Sequence, residues 1–462
     1  MKKILIFCFT FLSTTLLFAC EKNEINPDIP VTLEVPVNEV TFWAEGGERV
    51  FELTSNTGIQ VTSGASWCKA ELMPGQNNRI RLTAGKNNEI GVDRSTDVTL
   101  QAGEITKKIK VVQFSEEPRA EVLEKGAYFN DNQTTEFFLT VSSNLDYTFE
   151  TPSWVEEGEV KNVDALTKKH HFNAHRLTRA NSKRDDEILV KFHGQAKVDD
   201  IVIPIGQSNK KSEFSSASYN ILVGTWQERK EMVYTIIDTY DFDIWGTQEG
   251  TLVHLTDITR KYDKYNFIGV GRDGENKGEY SAILYKTDRF EVVDEGNFWF
   301  SNTPERPSYG WDATGYRRIC TWGKFRDKET NNYFYFFNSH FDHQGAVARY
   351  ESAKLLQSKI ESIVESGYPV FASGDYNCTP DSEPIMYLKS KGLLFDSRDL
   401  SSDPRGPLGS FNGLNPNVVS QNRIDFIFVN KEIDVKQYRV IDDRVDGKCP
   451  SDHDPVYIVI EF

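Results

Sequence analysis

The sequence predicts a layered α/β domain over residues 215–462, preceded by two small all-β sandwiches. Three observations predict it. Residues 31–210 read as short alternating strands separated by Gly, Asn and Asp turns, as in "RVFELTSN", "NRIRLTAGKN", "TDVTLQAG" and "KKIKVVQF". That stretch repeats itself. Beyond the polar linker "SNKKSEFSS", apolar strands alternate with amphipathic helices instead.

The chain opens with Met1, Lys2 and Lys3, an apolar run from Ile4 to Phe18, then Ala19 and Cys20. This reads as a secretory signal over 1–19, too short for a membrane-spanning helix. The ending "LLFAC" resembles the lipobox of bacterial lipoproteins, which implies lipid on Cys20, attachment to the membrane by that anchor alone, and a place in the bacterial envelope. Residues 20–30 are a polar tether with too few apolar side chains to fold alone. Cys68, Cys320, Cys378 and Cys449 are scattered, with no CxxC spacing, so neither a zinc site nor a disulfide scaffold is indicated.

The sandwiches are expected at 31–116 and 117–208. "TSN" (54–56), Trp67, Arg94 and Gln113 answer to "SSN" (142–144), Trp154, Arg184 and Gln207, about ninety residues on, which marks two copies of one domain. With its Gly-Gly opening the pattern resembles the BACON domain, an immunoglobulin-like sandwich of Bacteroidetes surface proteins; the second copy lacks the Gly-Gly. One large aromatic per small sandwich suits a core plug, so Trp67 and Trp154 are read as packing rather than sugar platforms. The role expected of the sandwiches is spacing, with glycan contact as a further partner. The basic run "KKHHFNAHRLTRANSKR" reads as a solvated loop.

In the last domain, "ASYNILV", "FDIWGTQE", "YSAILYK", "YFYFFNSH", "PVFASGDYN", "RIDFIFVN" and "VYIVIEF" are strands apolar enough to be covered on both faces. Tyr350, Ala353, Leu356, Ile360 and Ile363 form one stripe of a long helix. Helices therefore lie outside and sheet inside.

Polar residues fall where these strands begin or end. They are Asn220, Glu249, His340 with Asp342 and His343, Asp375 and Asn377, Asp425, and Asp452 with His453. Each alone is ordinary turn chemistry. As a set they converge on the cleft that strand ends of an α/β fold create. Their chemistry is hard oxygen without thiolate, the profile of Mg²⁺ with Mn²⁺ as substitute. Such an ion neutralises and polarises a phosphoryl group. A carboxylate on one histidine nitrogen fixes the tautomer and raises the basicity of the other.

"SYN", "QE", "NSHFD", "GDYN", "RIDFIF" and "SDHDPV", in this order, are similar to the endonuclease/exonuclease/phosphatase superfamily. The resemblance implies a deoxyribonuclease I-like, four-layer α/β/β/α sandwich and divalent-metal-dependent cleavage of a phosphate ester. It implies that Asn220, Glu249 and Asp452 serve one metal, "SYN" being followed by "ILVG" with no acidic partner for a second. Asp375 would orient or deprotonate the water, Asn377 would hold a phosphate oxygen, and His340 would contact the scissile phosphate. His453 paired with Asp425 would be base or electrostatic partner; Asp375 and His453 both remain candidates for the proton. Arg272, Tyr280, Trp311 and Arg317, on or near the loops between strands, are the expected substrate contacts. A formal charge of −16 argues against wrapping duplex DNA. The expectation is a monomeric phosphodiesterase or nuclease on a small or single-stranded substrate. The alternatives are a phosphomonoesterase on sugar or inositol phosphates and a non-catalytic glycan-binding surface protein.

Overall fold

The computed structural model describes residues 30–194 and 198–462. The segments read as signal and tether, with Cys20, lie outside the described residues except for Pro30. Contacts divide the chain into two compact units. One runs to Arg119 and includes Asn144–Asp146 and His193–Val198, and the other comprises Ala120–Ser143, Tyr147–Phe192 and Asp199–Phe462. Among the described residues, no helix is long and apolar enough to cross a membrane.

In the first unit, a four-stranded sheet (Glu39–Phe42, Ile105–Gln113, Arg94–Ala102, Ile59–Ser63) and a three-stranded one (Gly47–Glu52, Gln76–Ala84, Cys68–Met73) share a core. Phe42, Ile80, Leu82, Val98, Leu100 and Ile109 fill it, each from the inward parity of its strand. The repeated Trp, Arg and Gln are one interacting set. The Arg94 guanidinium lies 4.6 Å from the Trp67 ring centre, and its Nε donates to Gln113 Oε1 at 3.0 Å. The second sandwich repeats this set, with Arg184 4.0 Å from the Trp154 ring and donating from Nε to Gln207 Oε1 at 2.6 Å. Its two four-stranded sheets enclose Phe129, Leu139, Val141, Trp154 and Phe172. One expectation is corrected here. The first half of the basic run is not a loop but the strand Thr167–Ala174, whose His170 and Phe172 point inward while the lysines face out.

The second sandwich packs on the α/β domain through a turn at residues 327–333. Asn130 Nδ2 donates to Thr330 O at 2.7 Å, and the Gln133 side chain pairs with both backbone groups of Tyr333 at 3.0 and 3.1 Å. Arg326 stacks on Tyr128 at 3.6 Å.

The α/β domain is built from β1 (Glu213–Asn220), α1 (Trp226–Tyr240), β2 (Ile244–Gln248), α2 (Leu252–Lys261), β3 (Tyr265–Ile268), β4 (Ile283–Lys286), β5 (Phe290–Trp299), β6 (Ile319–Asp327), β7 (Tyr333–His340), α3 (Ala346–Ile363), β8 (Val370–Asp375), α4 (Glu383–Ser390), β9 (Phe395–Asp396), β10 (Pro404–Arg405), β11 (Asp425–Val429), β12 (Asp434–Val440) and β13 (Val456–Glu461). One sheet has the order β3-β4-β2-β1-β13-β12-β10, the other β5-β6-β7-β8-β11-β9. Both sheets contribute to one apolar cluster, with Phe214, Ile244, Ile283 and Ile458 from the first and Phe325, Phe334, Phe371 and Ile427 from the second. The opposite face of the first sheet packs α1 and α2 through Val233, Ile237, Leu255 and Ile258. The opposite face of the second packs α3 and α4 through Ala353, Leu356, Ile360, Ile385 and Leu388; of the stripe read from the sequence, Ala353, Leu356 and Ile360 are buried here, Ile363 packs at the margin and Tyr350 is outside the cluster.

Candidate active site

The strand-end residues meet because they are register partners. Asn220 lies opposite Gln248 across the parallel pair β1–β2, His340 opposite Asp375 across β7–β8, and Asp375 opposite Asp425 across β8–β11. Two sheets must also be held in step. Asn338 does this from β7, its Nδ2 donating to Thr247 O (2.8 Å) and Ala282 O (2.9 Å), its Oδ1 accepting from Gln248 Nε2 (2.7 Å) and Ser373 Oγ (3.0 Å). The bridge needs Gly246, because a Cβ there would lie 2.4 Å from Asn338.

Past the strand ends, Glu249 (φ 62°) and Asn377 (φ 49°) both adopt the left-handed backbone region that non-glycine residues rarely enter. Such strain persists where the surroundings fix it, and it clusters at functional sites. Asp375 is 2% exposed. Its Oδ1 accepts from Asn377 N at 2.9 Å and its Oδ2 from Asn220 Nδ2 at 3.1 Å; His340 Nε2 and His453 Nε2 lie 3.5 and 3.8 Å from Oδ2. His453 Nδ1 is 2.7 Å from Asp425 Oδ2, which also accepts from Ser410 Oγ at 2.6 Å.

The electrostatics follow from this packing. Burial pushes the Asp375 carboxyl up to about 7, helped by the charge on Asp425. For His453 burial acts downward, yet Asp425 and then Asp375 outweigh it and hold the imidazole charged, up to about 10. His340 goes the other way: burial, then Arg318 and Arg272, keep it well below its ordinary value and neutral.

Glu249 and Asp452 line the same cleft, and among the described residues neither makes an ion pair. Burial raises the Asp452 carboxyl, against the pull of the charged His453 and with the added charge of Glu249. Two hard carboxylates in that condition fit a divalent cation. The third expected ligand, Asn220, behaves differently. Its Oδ1 accepts from Leu222 N (3.0 Å) and keeps a second lone pair, while its Nδ2 donates to Glu249 Oε1 (3.1 Å) as well as Asp375, so it also ties the two carboxylates together. Asp375, Asp425 and His453 also lie close enough to share an ion, but the Asp425–His453 hydrogen bond already uses that space. Arg229 fixes the surrounding loops by donating to Leu222 O and Pro450 O, both at 2.6 Å.

The cleft encloses about 370 Å³. Of the expected substrate contacts, Arg272 lines it, its guanidinium 2.6 Å from Glu279 Oε2 and 4.2 Å from the Tyr316 ring. The other three do not line it. Tyr280 is buried among the side chains under α2, with its hydroxyl on Asn276 Oδ1. Trp311 packs on the cluster beneath α3, since a large ring without a strand ladder wedges its loop against the nearest apolar face. Arg317 turns outward to Asp273 at 2.8 Å. Sequence reasoning missed Glu279, Tyr316, Arg318 and Phe411, which do line the cleft, as does His343 from the strand-end set. Arg318 was findable, because it abuts β6, whose start lies beside the end of β7 with Cys320 opposite Ser339.

Comparison with known proteins follows this geometry. The model of the Endonuclease/Exonuclease/phosphatase family matches residues 217–453. A Bacteroides thetaiotaomicron protein of that family is 40% identical, with a TM-score of 0.52 over 55% of this chain and 99% of its own. The mannosyl-6-phosphatase of Bacteroides thetaiotaomicron VPI-5482 is 41% identical, with a TM-score of 0.52 over 54% of this chain and 100% of its own. An uncharacterized protein of Acanthamoeba polyphaga mimivirus is 27% identical over 254 residues, 51% of this chain and 92% of that protein. With the strand-end constellation brought together in one cleft, the chain belongs to the Endonuclease/Exonuclease/phosphatase family and is a phosphoric ester hydrolase.

Proposed function

We propose that this protein is a divalent-cation-dependent phosphomonoesterase that removes the phosphate of a phosphorylated sugar. The observation that carries this reading is the cleft. It holds about 370 Å³, with Glu249, Asp375 and Asp452 on the acidic side and Arg272, Arg318, His340 and His343 on the basic side. A volume of this order suits one small ligand. A nucleic-acid strand instead needs a track of basic and stacking side chains, which a chain of charge −16 is ill suited to provide. The likeness to a mannosyl-6-phosphatase supports the sugar.

In this reading Glu249 and Asp452 would hold Mg²⁺, with Mn²⁺ as substitute, and enzymes of this family typically need a divalent metal. Bound there, the ion would neutralise charge on the phosphoryl oxygens. The chain's own residues do the rest. Asp375, wedged between His340 and His453, takes the proton of the attacking water, because His453 is already held protonated by Asp425 and has no free lone pair to accept it. The water oxygen bonds to phosphorus, the ester P–O bond breaks, and the sugar oxygen leaves and takes a proton from solvent. Neutral His340 and Asn377 contact phosphoryl oxygens, and the charged His453 faces the increasing negative charge.

The test is phosphate release in Mg²⁺ from mannose 6-phosphate, glucose 6-phosphate, inositol phosphates, bis(p-nitrophenyl) phosphate and an oligonucleotide. A hexose 6-phosphate is expected to exceed both diesters in kcat/KM by about tenfold or more. A better diester overturns the reading. Mg²⁺ titration of the same protein should raise its melting temperature, and Glu249→Gln should remove the rise.

Around this site the proposal sets four layers, α/β/β/α, and two immunoglobulin-like, BACON-type sandwiches that space it from an envelope membrane through lipid on Cys20. Labelled palmitate should enter the wild-type chain and not Cys20→Ala; equal labelling refutes the anchor.

A further inference from the structure

Arg318 is 5% exposed and lines both the cleft and a small recess shared with Arg272, Glu279 and His340. Its guanidinium is incompletely satisfied. Nη2 lies 3.0 Å from His343 Nδ1, but Nε and Nη1 have no hydrogen-bond partner among the described residues. The nearest carboxylate oxygen, Asp342 Oδ2, is 3.6 Å from Nε, beyond hydrogen-bonding distance, and is itself without a hydrogen-bond partner. Arg272 differs, because Glu279 at 2.6 Å already neutralises it.

A buried donor left unpaired is costly, and more so on a charged group. An unpaired Nε and an unpaired Nη1 leave this buried guanidinium with free donors for phosphate oxygens, an anion it recognises well. A monoester dianion offers three terminal oxygens, whereas a diester offers two and places an ester arm where the third would be. His343 holds the guanidinium through Nη2, and the Tyr316 ring, 5.6 Å from the guanidinium carbon, packs beside it. We infer that Arg318 reads the extra charged oxygen of a terminal phosphate and so sets the preference of this cleft for monoesters over diesters. The inference rests on the phosphomonoesterase reading and goes on to assign its specificity to one side chain.

The experiment compares wild type, Arg318→Met and Arg318→Lys on a hexose 6-phosphate and on the methyl diester of the same sugar phosphate. Inorganic phosphate binding is followed by calorimetry. The monoester-to-diester ratio of kcat/KM is expected to fall about 30-fold in the Met variant, the size of a lost charge-assisted hydrogen-bond pair. The phosphate Kd should rise by a similar factor. Lys keeps charge but loses the fork, so it should recover only part of both, and it remains informative if the Met variant does not fold. Equal losses on the two esters, or an unchanged ratio and Kd, overturn the inference while leaving the monoesterase reading standing. Wild-type protein that hydrolyses only the diester overturns both. If neither ester is hydrolysed, equal phosphate binding by wild type and variants still defeats it.

Discussion

Asp375→Asn is expected to lower kcat for phosphate release by about 10³-fold or more while leaving the fold intact. The substitution is isosteric. An amide oxygen can still accept from Asn377 N, now at 2.9 Å, so the left-handed turn carrying Asn377 keeps its support. What disappears is the basic oxygen at 3.5 Å from His340 and 3.8 Å from His453. Neutralising the buried carboxyl removes a desolvation cost but also the hydrogen bond that Oδ2 accepts from Asn220 Nδ2 at 3.1 Å, so the melting temperature should change little. Steady-state kinetics with a thermal melt checks both halves. A variant that retains activity within tenfold while His453→Ala loses it would move the base to His453 and refute the assignment made above.

The site was legible in the sequence to the extent that it lies on strand ladders. Asn220, Glu249, His340, Asp375, Asp425 and Asp452 all sit at or next to residues whose neighbours are fixed by backbone register, so their convergence follows from the fold class. The long helix was legible for the same reason: Leu356 and Ile360 repeat at a spacing that only one face satisfies. Loop side chains carry no such constraint. Arg317 and Arg318 are chemically identical in sequence. Only the strand pairing separates them, since Arg318 O accepts from Phe300 N at 2.9 Å and is carried inward, while Arg317 reaches Asp273 outside. Asn220 shows a further limit. Its position could be read from the sequence, but the direction of its amide depends on Leu222 N and two carboxylates that no local pattern specifies. The basic run in the second sandwich failed for a third reason. Alternating burial of His170, Phe172 and Ala174 marks it as a strand, but an exposed Lys168 at the same parity masked the period.

The Asp425–His453 pair should behave as one unit. His453→Ala and Asp425→Asn are each expected to cost about 10²–10³-fold in kcat, and the double variant no more than the worse single. The physical reason is in the bonding. Asp425 Oδ2 receives both His453 Nδ1 at 2.7 Å and Ser410 Oγ at 2.6 Å, and that oxygen's charge is what keeps the buried imidazole protonated against desolvation. Asparagine there removes the charge, so the ring loses its proton and with it the positive field it turns towards Asp375. The ring itself stays in place, because Phe411 packs edge-on against it with centroids 5.1 Å apart. A double-mutant cycle on kcat, with the His453 ring followed by NMR, separates the cases. Additive losses would mean that the two residues act on different steps. A His453 ring that remains charged in Asp425→Asn would mean that Asp375, rather than Asp425, supplies the field that holds its proton.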